Sequence, residues 1–328
     1  MKYLFKNAKI FSGGEIIDGC VVVDGENIAY VGKNPPKGQF DEEIDVCGNV
    51  LMSGFVNAHC HTPSTVLRGV SDDLTLEDWL DDIIVKEQSL SDEEVYFSTM
   101  LGIAEYVRAG ITTIEENYGR ITAVVRALKK SGIRARFGIG FADVGKDQGI
   151  SLDKQLKIVT AAGLKPVCYA HSVYGTTEEN FEKLITFAKK NKLPVSTHLS
   201  ETLTEVGTCS VKNNGLSPPE LLETFGFLDR SATVYHAVHC DKDDLELLAA
   251  YNVNVVTCSS SNLKLGSGIA PVYAMQCKGI NVAIGTDGAY SNNSYDMFKE
   301  MFLVATLNKA TLNQANILPA KQVLKMAT

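Results

Sequence analysis

The stretch Val50-Leu51-Met52-Ser53-Gly54-Phe55-Val56-Asn57-Ala58-His59-Cys60-His61 marks the point where the chain changes its pattern. Its apolar residues predict a strand over residues 50–57, and two histidines one residue apart follow that strand. Side chains at positions i and i+2 of a strand point to the same face. His59 and His61 can therefore converge on one metal ion, although two unrelated surface histidines would give the same pattern.

From this stretch onward, predicted strands alternate with predicted helices. After the first strand a loop leads to a helix over residues 92–109. We predict further strands over residues 111–115, 133–140, 165–170, 194–198, 232–238, 254–258 and 281–285, and helices over 122–130, 153–162, 178–190, 219–225, 242–251, 271–277 and 295–310. Eight strand-then-helix units favour an α/β fold of the closed (β/α)8 TIM-type barrel over an open doubly wound sheet. No Gly-x-Gly-x-x-Gly follows the first strand, which weakens a dinucleotide-binding alternative.

Residues 1–49 have a different pattern. Strand-like runs over residues 3–11, 15–23 and 27–31 are separated by Gly13-Gly14, Asp24-Gly25 and Pro35-Pro36. No helical period occurs in this segment, so it predicts a small β element. We therefore divide the chain into a small β domain, residues 1–49, and a barrel domain, residues 50–328.

The composition restricts the class of protein. The chain has 328 residues, enough for one large barrel with a small appendage, and 45% of them are hydrophobic. A net charge of −8 gives no electrostatic footprint for nucleic acid. No apolar run is long enough to span a membrane, and the N-terminus lacks the apolar stretch of a signal peptide. The eight cysteines include no C-x-x-C pair, so we expect a reduced, cytoplasmic protein.

The histidines fall at the ends of predicted strands, where barrels of this type carry their chemistry. The six are His59, His61, His171, His198, His236 and His239. Two carboxylates, Glu201 and Asp287, lie at the ends of the fifth and eighth strands. Three imidazoles and a carboxylate suit zinc or iron and leave coordination positions open for water. A second carboxylate that is not a ligand can then move protons.

Several motifs, spread in order over the whole chain, carry a resemblance to a known family. They are Asn57-Ala58-His59-Cys60-His61, Leu67-Arg68-Gly69-Val70-Ser71-Asp72-Asp73-Leu74 with Trp79, His171-Ser172-Val173-Tyr174, His198-Leu199-Ser200-Glu201-Thr202, the stretch from Ser261 to Pro271, and Gly285-Thr286-Asp287-Gly288-Ala289. With these motifs the chain resembles the amidohydrolase superfamily. Within it, the chain is similar to the branch that contains methylthioadenosine/S-adenosylhomocysteine deaminases and triazine chlorohydrolases.

The resemblance implies a metal-dependent hydrolase with one divalent metal, zinc ahead of iron. The residues that match the metal ligands of the family are His59, His61, His198 and Asp287. Glu201 matches the acid/base that protonates a ring nitrogen of the substrate. His236 matches the histidine that helps to polarise the attacking water or the tetrahedral intermediate, and Asp287 also takes part in deprotonating that water. The substrate that the resemblance implies is a small molecule.

The resemblance also implies three substrate contacts. His171 matches a substrate-contacting histidine, Trp79 lies in the region of the pocket wall, and Glu87 matches a ribose-binding glutamate after a one-residue deletion. The loop after the third strand holds Lys146 as its only cation and no Arg, which disfavours a substrate with a carboxylate tail. We therefore expect an aminated purine nucleoside, methylthioadenosine or adenosine ahead of S-adenosylhomocysteine, with cytosine, guanine and s-triazines left open.

Relatives in this family continue beyond the position of Thr328 with a helix and strands that complete the small β domain. The resemblance thus implies that residues 1–49 form a partial small β-sandwich, incomplete because the C-terminal strands are missing. Two other functions stay open: a chlorohydrolase or amide hydrolase with the same metal site, and a truncated, non-catalytic metal- or nucleoside-binding protein. A homo-oligomer also stays open.

Overall fold

The computed structural model describes residues 1–141 and 149–328. These residues form two compact units, Met1–Gly54 with Thr328, and Phe55–Ala327; the boundary expected at residue 49 stays a prediction. The strands are β1 (Lys2–Ser12), β2 (Glu15–Asp24), β3 (Asn27–Gly32), β4 (Glu42–Asp45), β5 (Val50–Leu51), β6 (Phe55–Cys60), β7 (Ile111–Glu116), β8 (Arg134–Phe141), β9 (Lys165–Ala170), β10 (Val195–Leu199), β11 (Thr233–His236), β12 (Asn254–Thr257) and β13 (Asn281–Ile284). The α-helices are α1 (Leu76–Ser89), α2 (Asp92–Arg108), α3 (Ile121–Ser131), α4 (Leu152–Ala161), α5 (Glu178–Asn191), α6 (Leu203–Lys212), α7 (Pro218–Thr224), α8 (Lys242–Ala250), α9 (Ser259–Lys264), α10 (Val272–Cys277), α11 (Ala289–Asn292), α12 (Met297–Leu312) and α13 (Ala320–Met326), and a 3-10 helix covers Thr62–Leu67.

The second unit is an α/β barrel. In the described ranges, eight strands form one sheet in the chain order β6 to β13, and each neighbouring pair is parallel. Every residue of β10 is buried, as expected for a strand with side chains packed on both of its faces. The predicted TIM-type fold is confirmed. No helix in the described ranges combines the length and the apolar character that a bilayer span requires.

β13 and β6 meet through side chains and flanking backbone. Asn57 Nδ2 donates to Thr286 Oγ1 (2.7 Å), and Thr286 N donates to Asn57 Oδ1 (2.9 Å). One residue further, Asp287 N donates to His59 O at 3.0 Å. Gly285 permits this approach, because a Cβ atom there would lie 2.9 Å from each of three atoms of His59. The end of the last strand is thereby fixed against the histidines of the first.

The first predicted strand, 50–57, is wrong in its bounds. Val50–Leu51 pairs with β1 in the small sheet, and the barrel strand runs over Phe55–Cys60. The apolar run of 50–57 is therefore shared between two sheets, with a break at Ser53 and Gly54. An apolar run by itself does not show which sheet receives it. His59 consequently lies inside the strand, and His61 lies one residue beyond the end of the strand.

Helix α1 corrects the predicted loop between the first strand and α2. Thr75 is its N-cap and accepts from Asp78 N, and acidic residues occupy the first turn. Its buried side chains, Leu76, Trp79 and Ile83, form one apolar cluster with side chains that include Leu265. The cap residue Thr75 and the acidic first turn were a usable signal for this helix in the sequence. Helices α6, α9, α11 and α13 were likewise not predicted.

The first unit contains a small sheet in the order β3-β2-β1-β4, with β5 also paired to β1. β1 is antiparallel to β2 and parallel to β4. Two small clusters bury apolar side chains of this sheet, one with Leu4 and Val22 and one with Ile10 and Val21. The predicted N-terminal β element is therefore confirmed as a sheet.

Candidate metal centre and active site

Three histidines from distant parts of the chain come together at the ends of β6 and β10. His59 Nε2 lies 3.2 Å from His198 Nε2, and the ring centroids of His59 and His61 are 4.8 Å apart. One ring nitrogen of each of the three lies within 4.8 Å of the others, and among the described residues this group is the one able to hold a metal ion. All three side chains are buried. The strand-end placement read from the sequence thus brings these histidines to one point.

Asp287 completes this group from the end of β13. Its Oδ1 lies 3.5 Å from His59 Nε2 and 3.4 Å from His61 Nε2. Its Oδ2 accepts hydrogen bonds from Ser261 Oγ (2.6 Å) and Ser291 Oγ (2.9 Å). The two hydroxyls therefore occupy one carboxylate oxygen and leave the other facing the histidines.

The protonation states in the group suit a divalent metal. Burial lowers the pKa of His59 to about 3, and burial also lowers the pKa values of His61 and His198. Burial alone would raise the pKa of Asp287, but the hydrogen bond with His59 and the interactions with His61 and His236 hold that pKa well below its usual range. Three neutral imidazoles and one ionised carboxylate are a donor set that binds zinc and leaves a position for water. The residues present therefore fit a metal of this class.

Glu201 and His236 lie beside the group. Glu201 Oε2 is 3.6 Å from His236 Nε2, and His236 Nδ1 lies 2.7 Å from Asn262 Oδ1. Burial, and then the charge of Asp287, raise the pKa of Glu201 well above its usual range. Glu205 accepts from the backbone nitrogens of Glu201 (2.7 Å) and Ser200 (3.1 Å) and so fixes the backbone at Glu201. Glu201 is thus a buried carboxyl whose raised pKa favours the protonated form, on the same cavity as His61, His198 and Asp287.

A cavity of about 40 Å³ opens onto these groups. Its lining includes His61, His198, Glu201, His236 and Asp287, together with Trp79, His171, Leu265 and Tyr290. The rings of Trp79 and Tyr290 are stacked, with centroids 4.7 Å apart. Binding pockets for small molecules commonly measure about 300 to 1,000 Å³, so wall side chains must move when a molecule larger than water enters.

Two of the three predicted substrate contacts line the cavity, and the third, Glu87, is not among the lining residues. Trp79 and His171 line the cavity, and burial lowers the pKa of His171 to about 4. Glu87 is not among the lining residues; its Oε1 is buried, without a hydrogen-bond partner among the described residues, and burial raises the pKa of Glu87 to about 7. The ribose-binding role of Glu87 therefore stays a prediction. Lys146 lies outside the described residues.

Sequence reasoning missed the residues that orient the predicted ones. These are Asn262 against His236, Ser261 and Ser291 against Asp287, and Glu205 against the backbone of Glu201. Asn262 and Ser261 belong to a quoted motif, which was a usable signal. His239, by contrast, bonds through Nε2 to Ser267 O at 2.6 Å, which is a structural contact.

Comparisons with known proteins agree with this geometry. Residues 50–328 match the family model described as the amidohydrolase family. The chain is 37% identical over 326 residues to a 5-methylthioadenosine/S-adenosylhomocysteine deaminase of Halobacterium salinarum, covering 95% of this chain and 74% of that protein. It is 34% identical to a 5'-deoxyadenosine deaminase of Methanothermobacter thermautotrophicus, over 99% of this chain and 78% of that protein. The crystal structure of an adenosine deaminase from Xanthomonas campestris with bound zinc matches with a TM-score of 0.91 at 31% identity, over 99% of this chain and 78% of that one.

Proposed function

The chain belongs to the amidohydrolase family, and we propose that it is a metal-dependent deaminase of an aminated purine nucleoside, with methylthioadenosine or adenosine as the favoured substrate. It is a hydrolase that acts on carbon–nitrogen bonds other than peptide bonds and releases ammonia. The single observation that carries the catalytic assignment is the placement of the buried Glu201 on one cavity with His61, His198 and Asp287, beside a group of three histidines able to hold a metal ion.

The proposed roles follow from this placement. A divalent metal held by His59, His61, His198 and Asp287 would supply a water molecule acidic enough to attack at neutral pH. Asp287 Oδ1, the oxygen not occupied by serine hydroxyls, accepts a proton from that water. Glu201 gives its carboxyl proton to the ring nitrogen next to the aminated carbon. His236 Nε2, with its ring fixed by Asn262, faces the same space and orients the attacking oxygen. The proton held by Asp287 then passes to the amino group, which leaves as ammonia. As that carbon–nitrogen bond breaks, the hydroxyl on the same carbon becomes a carbonyl and its proton returns to Glu201.

The wall of the cavity supports a flat, aromatic substrate. Trp79 and Tyr290 present stacked rings, and Leu265 adds an apolar side chain. Aromatic faces bind heterocyclic bases by stacking. The deaminase relatives act, by their names, on adenosine-type nucleosides. Together these points favour a purine nucleoside, and we propose zinc as the metal because the similar adenosine deaminase structure contains zinc.

Metal analysis of the purified chain together with an ammonia-release assay tests this function. The substrates to compare are methylthioadenosine, adenosine, S-adenosylhomocysteine, guanine and cytosine. We expect about one metal per chain and ammonia from a purine nucleoside. Metal without ammonia, but with chloride released from an s-triazine, would instead support the chlorohydrolase alternative. Light scattering of the same sample tests the homo-oligomer, which stays a prediction.

The variant Glu201→Gln tests the role of the proton donor. We expect turnover to fall about 10²- to 10⁴-fold while the bound metal stays the same, because the amide cannot give up a proton. Glu182→Gln, the same change at an exposed position of α5, is the matched control. Turnover of Glu201→Gln at the level of this control would contradict the assignment.

A further inference from the structure

The Nδ1 atoms of the three proposed metal ligands His59, His61 and His198 have different neighbours. A histidine that ligates a metal through Nε2 keeps a proton on Nδ1, and the acceptor of that proton fixes the ring. His61 Nδ1 contacts the backbone oxygen of Asn117, and His198 Nδ1 lies 2.7 Å from the backbone oxygen of His171. A carbonyl oxygen can only accept a hydrogen bond. Both rings are therefore held with Nε2 free for the metal.

His59 Nδ1 contacts a side chain instead. The neighbouring atom is Nδ2 of Asn117, at 3.3 Å. Asn117 is 1% exposed, and its Oδ1 has no hydrogen-bond partner among the described residues. A half-turn of the amide group exchanges nitrogen and oxygen and places an acceptor against His59 Nδ1. The amide oxygen can then accept a hydrogen bond from His59 Nδ1, as backbone carbonyl oxygens do for His61 and His198.

Asn117 also contacts the rest of the first-strand motif. Its backbone nitrogen donates to Cys60 O at 3.1 Å, and its backbone oxygen is the partner of His61. One residue at the end of β7 therefore bonds to three consecutive residues, His59, Cys60 and His61.

A buried polar chain anchors the amide of Asn117. Tyr235 OH lies 3.0 Å from Asn117 Nδ2 and 2.6 Å from Glu115 Oε1. The other oxygen of Glu115 pairs with Arg136 Nε at 3.1 Å. The ring of Tyr235 is stacked on the ring of His59, with centroids 3.8 Å apart. Tyr235 OH donates its one proton to Glu115 Oε1 and accepts from Asn117 Nδ2. After the half-turn, Tyr235 holds the amide oxygen by turning that proton from Glu115 to Asn117.

We propose that Asn117 is a positioning residue of the metal centre, orienting His61 through its backbone and His59 through its side-chain amide, with Tyr235 as the anchor of that amide. This inference rests on the proposed metal site. It predicts that the side chain of Asn117 sets metal affinity without touching the metal or the substrate.

Two substitutions separate the acceptor from the volume of the side chain. Asn117→Leu removes the amide at similar size, and Asn117→Asp keeps an oxygen acceptor. Asn308→Leu is the matched control, because Asn308 is also buried but bonds only to residues of the outer helices and the loop before α10 among the described residues. The measurements are the Zn²⁺ dissociation constant from chelator competition, the visible spectrum of the Co²⁺-loaded protein, and Tm.

We expect Asn117→Leu to weaken Zn²⁺ binding about 10- to 100-fold and to shift the Co²⁺ spectrum. Asn117→Asp should recover most of the affinity, and Asn308→Leu should lower Tm while Zn²⁺ affinity stays at the wild-type value. An Asn117→Leu protein with wild-type affinity and spectrum would overturn the inference, as would Asn117→Asp binding as weakly as Asn117→Leu.

Failure of the metal site itself gives a different result. If the wild-type chain binds no Zn²⁺, the proposed metal site falls, and this inference falls with it. If Asn117→Leu does not fold, Tyr235→Phe decides, because it keeps the ring on His59 and deletes only the hydroxyl. Zn²⁺ affinity weakened several-fold in Tyr235→Phe supports the anchor, and unchanged affinity overturns it.

Discussion

Gly285→Ala tests the contact between the last and the first barrel strand. An added Cβ would lie 2.9 Å from the Cβ, N and O atoms of His59, whereas ordinary van der Waals contacts begin near 3.4 Å. All three atoms belong to a buried strand or its Cβ, so no flexible side-chain end can move aside. The backbone of His59 must therefore move away from the added Cβ by about half an ångström. This movement also disturbs the hydrogen bond that Asp287 N donates to His59 O.

We expect this shift to cost about 1 to 3 kcal/mol of unfolding free energy, as overpacking of a close-packed interior does. Because His59 is a proposed metal ligand, kcat/KM should also fall at least about 10-fold. Urea unfolding and steady-state kinetics measure the two effects. Gly207→Ala, in α6 with nothing within 4 Å of the added Cβ, is the control and should gain about 0.5 to 1 kcal/mol. Wild-type stability and kcat/KM in Gly285→Ala would refute the reasoning.

Three further predictions concern protons and the cavity wall. Because Glu201 acts in its protonated form and its pKa is raised by burial, log kcat/KM should fall as pH rises through that raised pKa; a profile that stays flat at alkaline pH would be contrary. Burial raises the pKa of Glu116 to about 7, above the usual 4.5, so its contribution to stability is present at low pH and lost as pH rises through 7. In urea unfolding, the stability of Glu116→Gln relative to wild type should therefore rise by about 3 kcal/mol between pH 5 and pH 8, and an equal difference at both pH values would count against this pKa. Trp79 Nε1 is buried without a hydrogen-bond partner among the described residues, so Trp79→Phe should raise KM about 10-fold with little change in kcat if substrate satisfies this donor; an unchanged KM would exclude that contact.

Local patterns were sufficient for the fold. The strand β9 was predicted with its observed bounds, Lys165–Ala170, and most barrel strands within one or two residues. The error at 50–57 and the omission of α1 have a common reason. The sheet that an apolar run joins, and the helix that a short amphipathic segment forms, depend on the neighbours that they pack against, and these neighbours are distant in the chain.

The proposed site could be read from the sequence as far as the groups that do chemistry. His59, His61, His198, Glu201 and Asp287 stand at strand ends, and parallel strands in a barrel bring those ends to one face. Imidazoles and carboxylates are also recognisable by type, so their spacing indicated a metal site before any contact was known.

Only the tertiary structure decided which residues hold these groups in place. Asn57 bonds to Thr286 across 229 positions of sequence, and Asn117 reaches His59 across 58. Asparagine and tyrosine occur throughout a chain in many roles, so their types carry no signal of such contacts. The sequence determined the barrel and the chemical groups through short-range patterns, whereas the orientation of those groups depends on hydrogen bonds that exist only once the sheet has closed.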